Sequence, residues 1–249
     1  MEANPDYSNE TAESLANKLR EAILSGALPA GARVPSIRKL VAQGAGRGVA
    51  ETALERLRAE GLIEARHGSG SYVRGFERIR RTSPKRLSKE QWGSGKAVQD
   101  ADTGSRLRVV DVRVGDVVPP PDVADALGVG RDVEVLRRWR RFEVDGRSVQ
   151  IAVSYLPTEL TRGTRIEHTD TGPGGTPARL AELGYAPTRF SERLIARAAF
   201  PEEVAELRTR RSATVIEITR LMFAGQRCVE VTRMVLDAEA YELVYEFPA

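Results

Sequence analysis

The chain has 249 residues, of which 41% are hydrophobic, and it carries a net charge of +3 and one cysteine. That length holds one large domain or two modest ones, and the lone Cys228 excludes an internal disulfide framework or a cysteine-based zinc cluster. No run of about 18 apolar residues marks a membrane span, and the polar, acidic segment 1–14 lacks the basic-then-apolar order of a secretory signal, so a cytoplasmic location is expected.

The first block runs over residues 6–75. Leu15, Leu19, Ala22 and Ile23 recur at helical spacing, and Ser25-Gly26 offers a stop. After the tight connector Leu28-Pro29-Ala30-Gly31, Ser36 is placed to cap a short second helix with Ile37, Leu40 and Val41 on one face. Gly44-Ala45-Gly46 then turns the chain into a third helix with Val49, Ala53, Leu54 and Leu57 apolar, and Gly61 ends it. Residues 62–65 and 71–73 read as two short strands joined by Arg66-His67-Gly68-Ser69-Gly70. Helix, helix, turn, helix, hairpin is the order of a winged helix-turn-helix.

Residues 76–106 are basic, then Gly/Ser-bearing, with little periodicity, and are read as a flexible linker that Leu87 and Trp92 anchor in part to a domain. Between Arg66 and Lys89 lie Arg74, Arg78, Arg80, Arg81, Lys85 and Arg86, opposed only by Glu77. Such a cluster suits a polyanion, and a merely solvated linker is the plain alternative. From residue 107 to 249 strand-like runs dominate, at 109–114, 133–142, 149–155, 214–223 and 229–236. Asp145-Gly146 and Ala224-Gly225 mark hairpins, short helical segments are expected at 123–127, 177–183 and 201–207, and no internal repeat is evident. The fold class is therefore α+β: an N-terminal winged helix-turn-helix followed by a C-terminal domain on an antiparallel sheet.

Four motifs, at residues 26–31, 34–40, 53–63 and 67–73, occur in the order and spacing of the DNA-binding domain of the GntR regulators, which the first block resembles. Arg140, Asp145-Gly146, Ser154-Tyr155-Leu156-Pro157, Glu192, and Glu230 followed by Tyr241 resemble the UTRA effector domain of the HutC subfamily, a domain similar to the chorismate lyase fold. The resemblance implies a homodimer that binds double-stranded DNA at a palindromic operator and is released by a small, anionic effector. It implies no cofactor and no metal.

By that resemblance Arg38 and Arg47 contact guanine edges or phosphates. His67 and Gly68 form the wing tip, with Arg66 and Arg74 on phosphates beside it. Ser36 is a helix cap first and a phosphate donor second. Relatives carry a hydroxyl before the arginine and a Thr two residues after it, where this chain has Gly46-Arg47-Gly48-Val49, and Glu51 stands where a basic contact is common. In the sensing domain Arg140 matches the anion-binding arginine, Thr176 a donor to the anion at a helix start, and Glu230 an acceptor from ligand hydroxyl or amino groups. Arg140 as an ion-pair partner and Thr176 as a plain helix cap are the alternatives, and Arg137, Arg138 and Arg141 read as solvated. Phe142, Ala152 and Leu236 replace polar residues of sugar-phosphate binders, which argues for a carboxylate or less polar ligand. Two further readings stand beside this one: a constitutive DNA-binding protein with a decayed pocket, and a chorismate-lyase-like enzyme. For the latter, His67 and His168 are the only histidines, and no nucleophile-base pair or metal-ligand spacing is recognisable.

Overall fold

The computed structural model describes residues 6–66, 68–74, 78–83, 85–95 and 107–247, and the chain forms two compact units that divide between Glu77 and Arg78.

In the first unit, Thr11 caps helix α1 (Ala12–Leu24) by accepting from the Ser14 amide, while Ser14 Oγ accepts from the Thr11 amide. Helix α2 (Ile37–Ala42) starts at the Ser36 cap, and helix α3 (Arg47–Ala59) starts at Gly46, which supplies no side-chain cap. Ala50, Ala53, Leu54 and Leu57 of α3 meet Leu15, Ala16 and Leu19 of α1 and Leu40 of α2 in one core. Val41, expected on the apolar face of α2, is instead exposed. Gly44, at φ +96°, makes the turn between α2 and α3 possible. A Cβ there would lie 2.4 Å from Ser8 Oγ and 2.9 Å from the Ser8 amide nitrogen. Beyond α3, Gly61 at φ +75° lets the Leu62 amide bond back to the Leu57 carbonyl and stops the helix. Strands β1 (Ile63–Arg66) and β2 (Gly70–Val73) pair antiparallel as the wing, and Arg33 bridges to Tyr72 alongside.

The second unit is built on a six-stranded antiparallel sheet in the order β4-β5-β6-β9-β8-β7. Its strands are β4 (Arg108–Val117), β5 (Val135–Val144), β6 (Arg147–Pro157), β7 (Arg189–Ala198), β8 (Thr214–Ala224) and β9 (Arg227–Asp237). Asp145 and Gly146, both at positive φ, close the β5–β6 hairpin. The β8–β9 loop falls on Gly225-Gln226, one residue beyond its expected place.

The sheet contains an internal repeat that the sequence does not announce. A strand, a short helix and a hairpin occur twice, with Pro121 corresponding to Pro201, Arg140 to Arg220 and Arg147 to Arg227. The two helices, Pro121–Leu127 and Pro201–Leu207, start at matched prolines, and both hairpins carry a bulge at the same place, Phe142/Glu143 and Met222/Phe223. These two helices cover one face of the sheet, around Val135, Tyr155 and Val231 and around Trp139, Val215 and Val235. On the other face, helix Gly175–Glu182 packs through Leu180 on Leu136, Leu156 and Met222.

The expected linker, 76–106, is built structure where it is described. Strand β3 (Ile79–Ser83) pairs in parallel with the last strand, β10 (Tyr241–Tyr245). A 3₁₀ turn (Lys85–Leu87) and a short helix (Lys89–Gly93) follow, burying Leu87 and Trp92. The physical reason lies in the alternation Ile79, Arg81, Ser83 along β3, which turns all three inward. Arg81 is only 1% exposed and donates to Glu192 at 2.6 Å, and Arg86 is buried too, so part of the basic run is interior rather than a surface for phosphate.

Candidate DNA-reading surface and effector cavity

In the first unit the expected DNA-contact residues gather on the helical entry and the wing. Ser36 Oγ accepts from the Lys39 amide at 3.2 Å, so its first role is that of a cap. Arg38, on the first turn of α2, is exposed, with no ion pair among the described residues. Arg47 opens α3 and is also exposed, but Glu51 one turn on holds it at 3.0 Å. Arg66, at the end of β1, pairs with Glu64 at 3.0 Å and lies over the Tyr72 ring at 4.5 Å. Gly68 sits at φ +69° with open space where a side chain would stand, which lets the wing backbone approach a surface closely. His67 lies outside the described residues. Exposed pairs of this kind are worth about 0.2–1 kcal/mol, too little to keep either arginine from a phosphate.

In the second unit the three effector residues chosen from the sequence converge. Arg140 on β5, Thr176 on helix Gly175–Glu182 and Glu230 on β9 line one cavity of about 430 Å³, a volume suited to a small metabolite. Arg140 donates to Ser154 Oγ at 2.5 Å, and Ser154 is in turn 2.8 Å from Thr232 Oγ1. Arg140 Nε is buried and unpartnered. Burial pushes this guanidinium down to about 10, with Glu230 opposing the shift and Arg138 and Arg220 adding to it. Thr176 is buried in the first turn of its helix. The cap is Gly174, so Thr176 is not the plain helix cap that was the alternative.

Sequence reasoning missed two further arginines of this cavity, Arg138 and Arg220. Arg138, read as solvated, is only 2% exposed. It donates to the carbonyls of Ile166 and His168, and to that of Thr169 at 3.1 Å, and so ties the loop that walls the cavity to the sheet. Burial lowers its pKa, against the pull of Glu230 and Asp170. The signal was period-two alternation: Leu136, Arg138 and Arg140 share a face, as do Ile218, Arg220 and Met222. Arg141, also read as solvated, is half-buried and lies 3.5 Å from Glu206. Phe142, Ala152 and Leu236 are buried in packing and are not among the residues lining the cavity. Gly174 also lines the cavity; its amide donates to the Gly95 carbonyl at 2.9 Å, and a Cβ there would lie 2.6 Å from the Trp92 carbonyl oxygen.

A three-helix unit with a wing, followed by a sheet domain with a charged cavity, defines a DNA-binding regulator with a sensing domain. Bacterial regulatory proteins of the gntR family match residues 11–73, and the UTRA domain matches residues 103–242. The chain belongs to the GntR family of transcriptional regulators, and its pairing of winged helix with UTRA domain fits the HutC subfamily. An HTH-type transcriptional regulator of Streptomyces coelicolor is 30% identical over 218 residues, covering 83% of this chain and 80% of that protein. One from Rhizobium meliloti is 29% identical over 205 residues, covering 82% and 80%. Among solved structures, a GntR-family transcriptional regulator aligns with a TM-score of 0.61 at 24% identity, over 98% of this chain and 99% of that one. PhnF from Mycobacterium smegmatis aligns with a TM-score of 0.56 at 19% identity, over 94% and 99%. These two similarities concern the fold. No helix of the described residues is long and apolar enough to cross a membrane.

Proposed function

We propose that the protein is a cytoplasmic, homodimeric repressor that binds a palindromic operator through two winged helices and is released by a small anionic effector seated at Arg140. The observation that carries this reading is the convergence of Arg140, Thr176 and Glu230, from distant parts of the chain, on one cavity. A half-buried guanidinium that shares a cavity with the first turn of a helix is a site prepared for an anion. On the DNA side, Arg38 and Arg47 face the major groove and Arg66 and the Gly68 backbone hold phosphates beside the wing. A two-fold dimer matches a two-fold operator and fixes its half-site spacing. The effector acts through its differential affinity for operator-competent and operator-incompetent arrangements of that dimer.

The open, charged cavity supports a working sensor over a decayed one, and membership in a regulator family supports sensing over catalysis. The test is separation of function. Arg140→Ala should bind operator DNA as the unaltered chain does but fail to release it in the presence of effector. Arg38→Ala should lose roughly 1–3 kcal/mol of operator affinity while still binding effector. Normal release by Arg140→Ala would remove Arg140 from the site and refute the assignment.

A further inference from the structure

The internal repeat of the sheet makes two like positions on the face that holds the effector cavity. With Arg140 matched to Arg220, the same spacing matches Val112 to Glu192, Gln150 to Glu230 and Ser154 to Met234. The strand register agrees: Val112 stands across from Arg140 on β4 and β5, and Glu192 across from Arg220 on β7 and β8. The first position is the open cavity, lined by Val112, Arg140 and Glu230. The second is filled by the chain itself. Arg81 of β3 donates from Nη2 to Glu192 at 2.6 Å, and its Nη1 lies 3.7 Å from Met234 Sδ. From β10, which pairs with β3, the Tyr241 hydroxyl donates to Gln150 Oε1 at 3.1 Å.

The Arg81 side chain is 1% exposed and that of Glu192 8%. Taking one member out of a buried ion pair strands the other charge, so the second position calls for a cation beside Glu192. A guanidinium is planar and more weakly hydrated than an ammonium, which suits a dry site whose other contact is a thioether. The matching residue of the first position, Val112, carries no charge, so the repeat has diverged at the point where Arg81 is held. Strand β2 ends at Val73 and β3 begins at Ile79. Whatever occupies the second position therefore decides whether the connector behind the wing is fastened to the sheet.

We propose that the duplicated sheet carries a second binding position, specific for a guanidinium group and taken by the chain's own Arg81, so that β3 is a latch that fastens the connector. This goes beyond the repressor reading, and its test needs neither operator nor effector.

The experiment is amide hydrogen exchange of the full chain, read at residues 79–83, with Arg81→Ala rescued by a free guanidinium. Arg81→Ala should exchange about tenfold or more faster there than the unaltered chain. Ethylguanidinium, which replaces the atoms the substitution removes, should restore slow exchange at millimolar concentration, whereas ethylammonium and the neutral ethylurea should not. The double variant Arg81→Ala/Glu192→Gln strands no carboxylate, so it keeps the test alive if Arg81→Ala alone unfolds. It should be as loose at 79–83 and should not respond to ethylguanidinium. Exchange at 79–83 equal to that of the unaltered chain, in either variant, would overturn the latch. A loosened β3 that ethylguanidinium fails to restore in folded Arg81→Ala, or that all three additives restore alike, would overturn the guanidinium site, as would an equal response in the double variant.

Discussion

Replacing Arg138 by methionine tests how the effector cavity is held together. The side chain is buried and its guanidinium serves the carbonyls of Ile166, His168 and Thr169. Hydrogen bonds to a charged group are worth about 1.5–3 kcal/mol each, but methionine escapes the desolvation cost that the guanidinium bears. Three orphaned carbonyls against one relieved charge leave a net loss of about 3 kcal/mol. Both tryptophans, Trp92 and Trp139, are buried in the second unit, so fluorescence-detected melting reports on that unit alone. For a domain of this size about 1 kcal/mol moves Tm by roughly 2–4 °C, so a drop of roughly 6–12 °C is expected. Arg138→Lys keeps the charge without the planar fork and should recover about half of it. The loop walls the cavity, so effector affinity should fall while DNA affinity holds. A methionine variant with unchanged Tm and unchanged effector affinity would show that the loop is held by something else.

Gly174→Ala should raise the effector Kd by about tenfold or more, because a Cβ at φ +77° would meet the Trp92 carbonyl oxygen and the Ala178 side chain, each at 2.6 Å; an unchanged Kd in titration would show that the wall yields freely. Glu51→Gln frees Arg47 from its exposed partner, which should tighten DNA binding and steepen the salt slope by about 1, and anisotropy at several salt concentrations checks it. Burial pushes the Glu203 carboxyl up, but its bonds to Arg197 and the Phe200 amide outweigh this and hold it below the usual carboxylate range. Its stabilising effect is therefore full above the unfolded value of about 4.3 and lost as pH falls through the depressed folded value. Glu203→Gln should flatten the acid limb of the melting profile, and an identical limb in the variant would exclude this pair.

The first unit was legible because its signals are local. A cap at Ser36, apolar spacing in α3 and the Gly61 stop each act within a few residues. The second unit was legible in its long central strands and less so at its edges. Strand β7 alternates the exposed Arg189, Ser191 and Arg193 with half-buried residues, so no apolar run marks it. Strand β3 was hidden because its inward position is held by Arg81, whose charge reads as surface until Glu192 is known to face it. The repeat escaped notice because what the two halves share is hairpin geometry, while residue identity persists at a few positions such as Arg140 and Arg220. Arg140, Thr176 and Glu230 were found through family resemblance. Arg138 and Arg220 required the strand register, which places each arginine on the face its apolar neighbours bury.

The proposed function stands on specific, two-fold DNA recognition under effector control. Its most direct test is selection of bound duplexes from a random pool by the full chain, at about 150 mM salt so that nonspecific phosphate binding is suppressed. A two-fold dimer should recover an inverted repeat whose half-sites lie about one helical turn, or a multiple of it, apart. Recovery of only random sequence would contradict it, and would mean that the helix opened by Arg47 does not read bases.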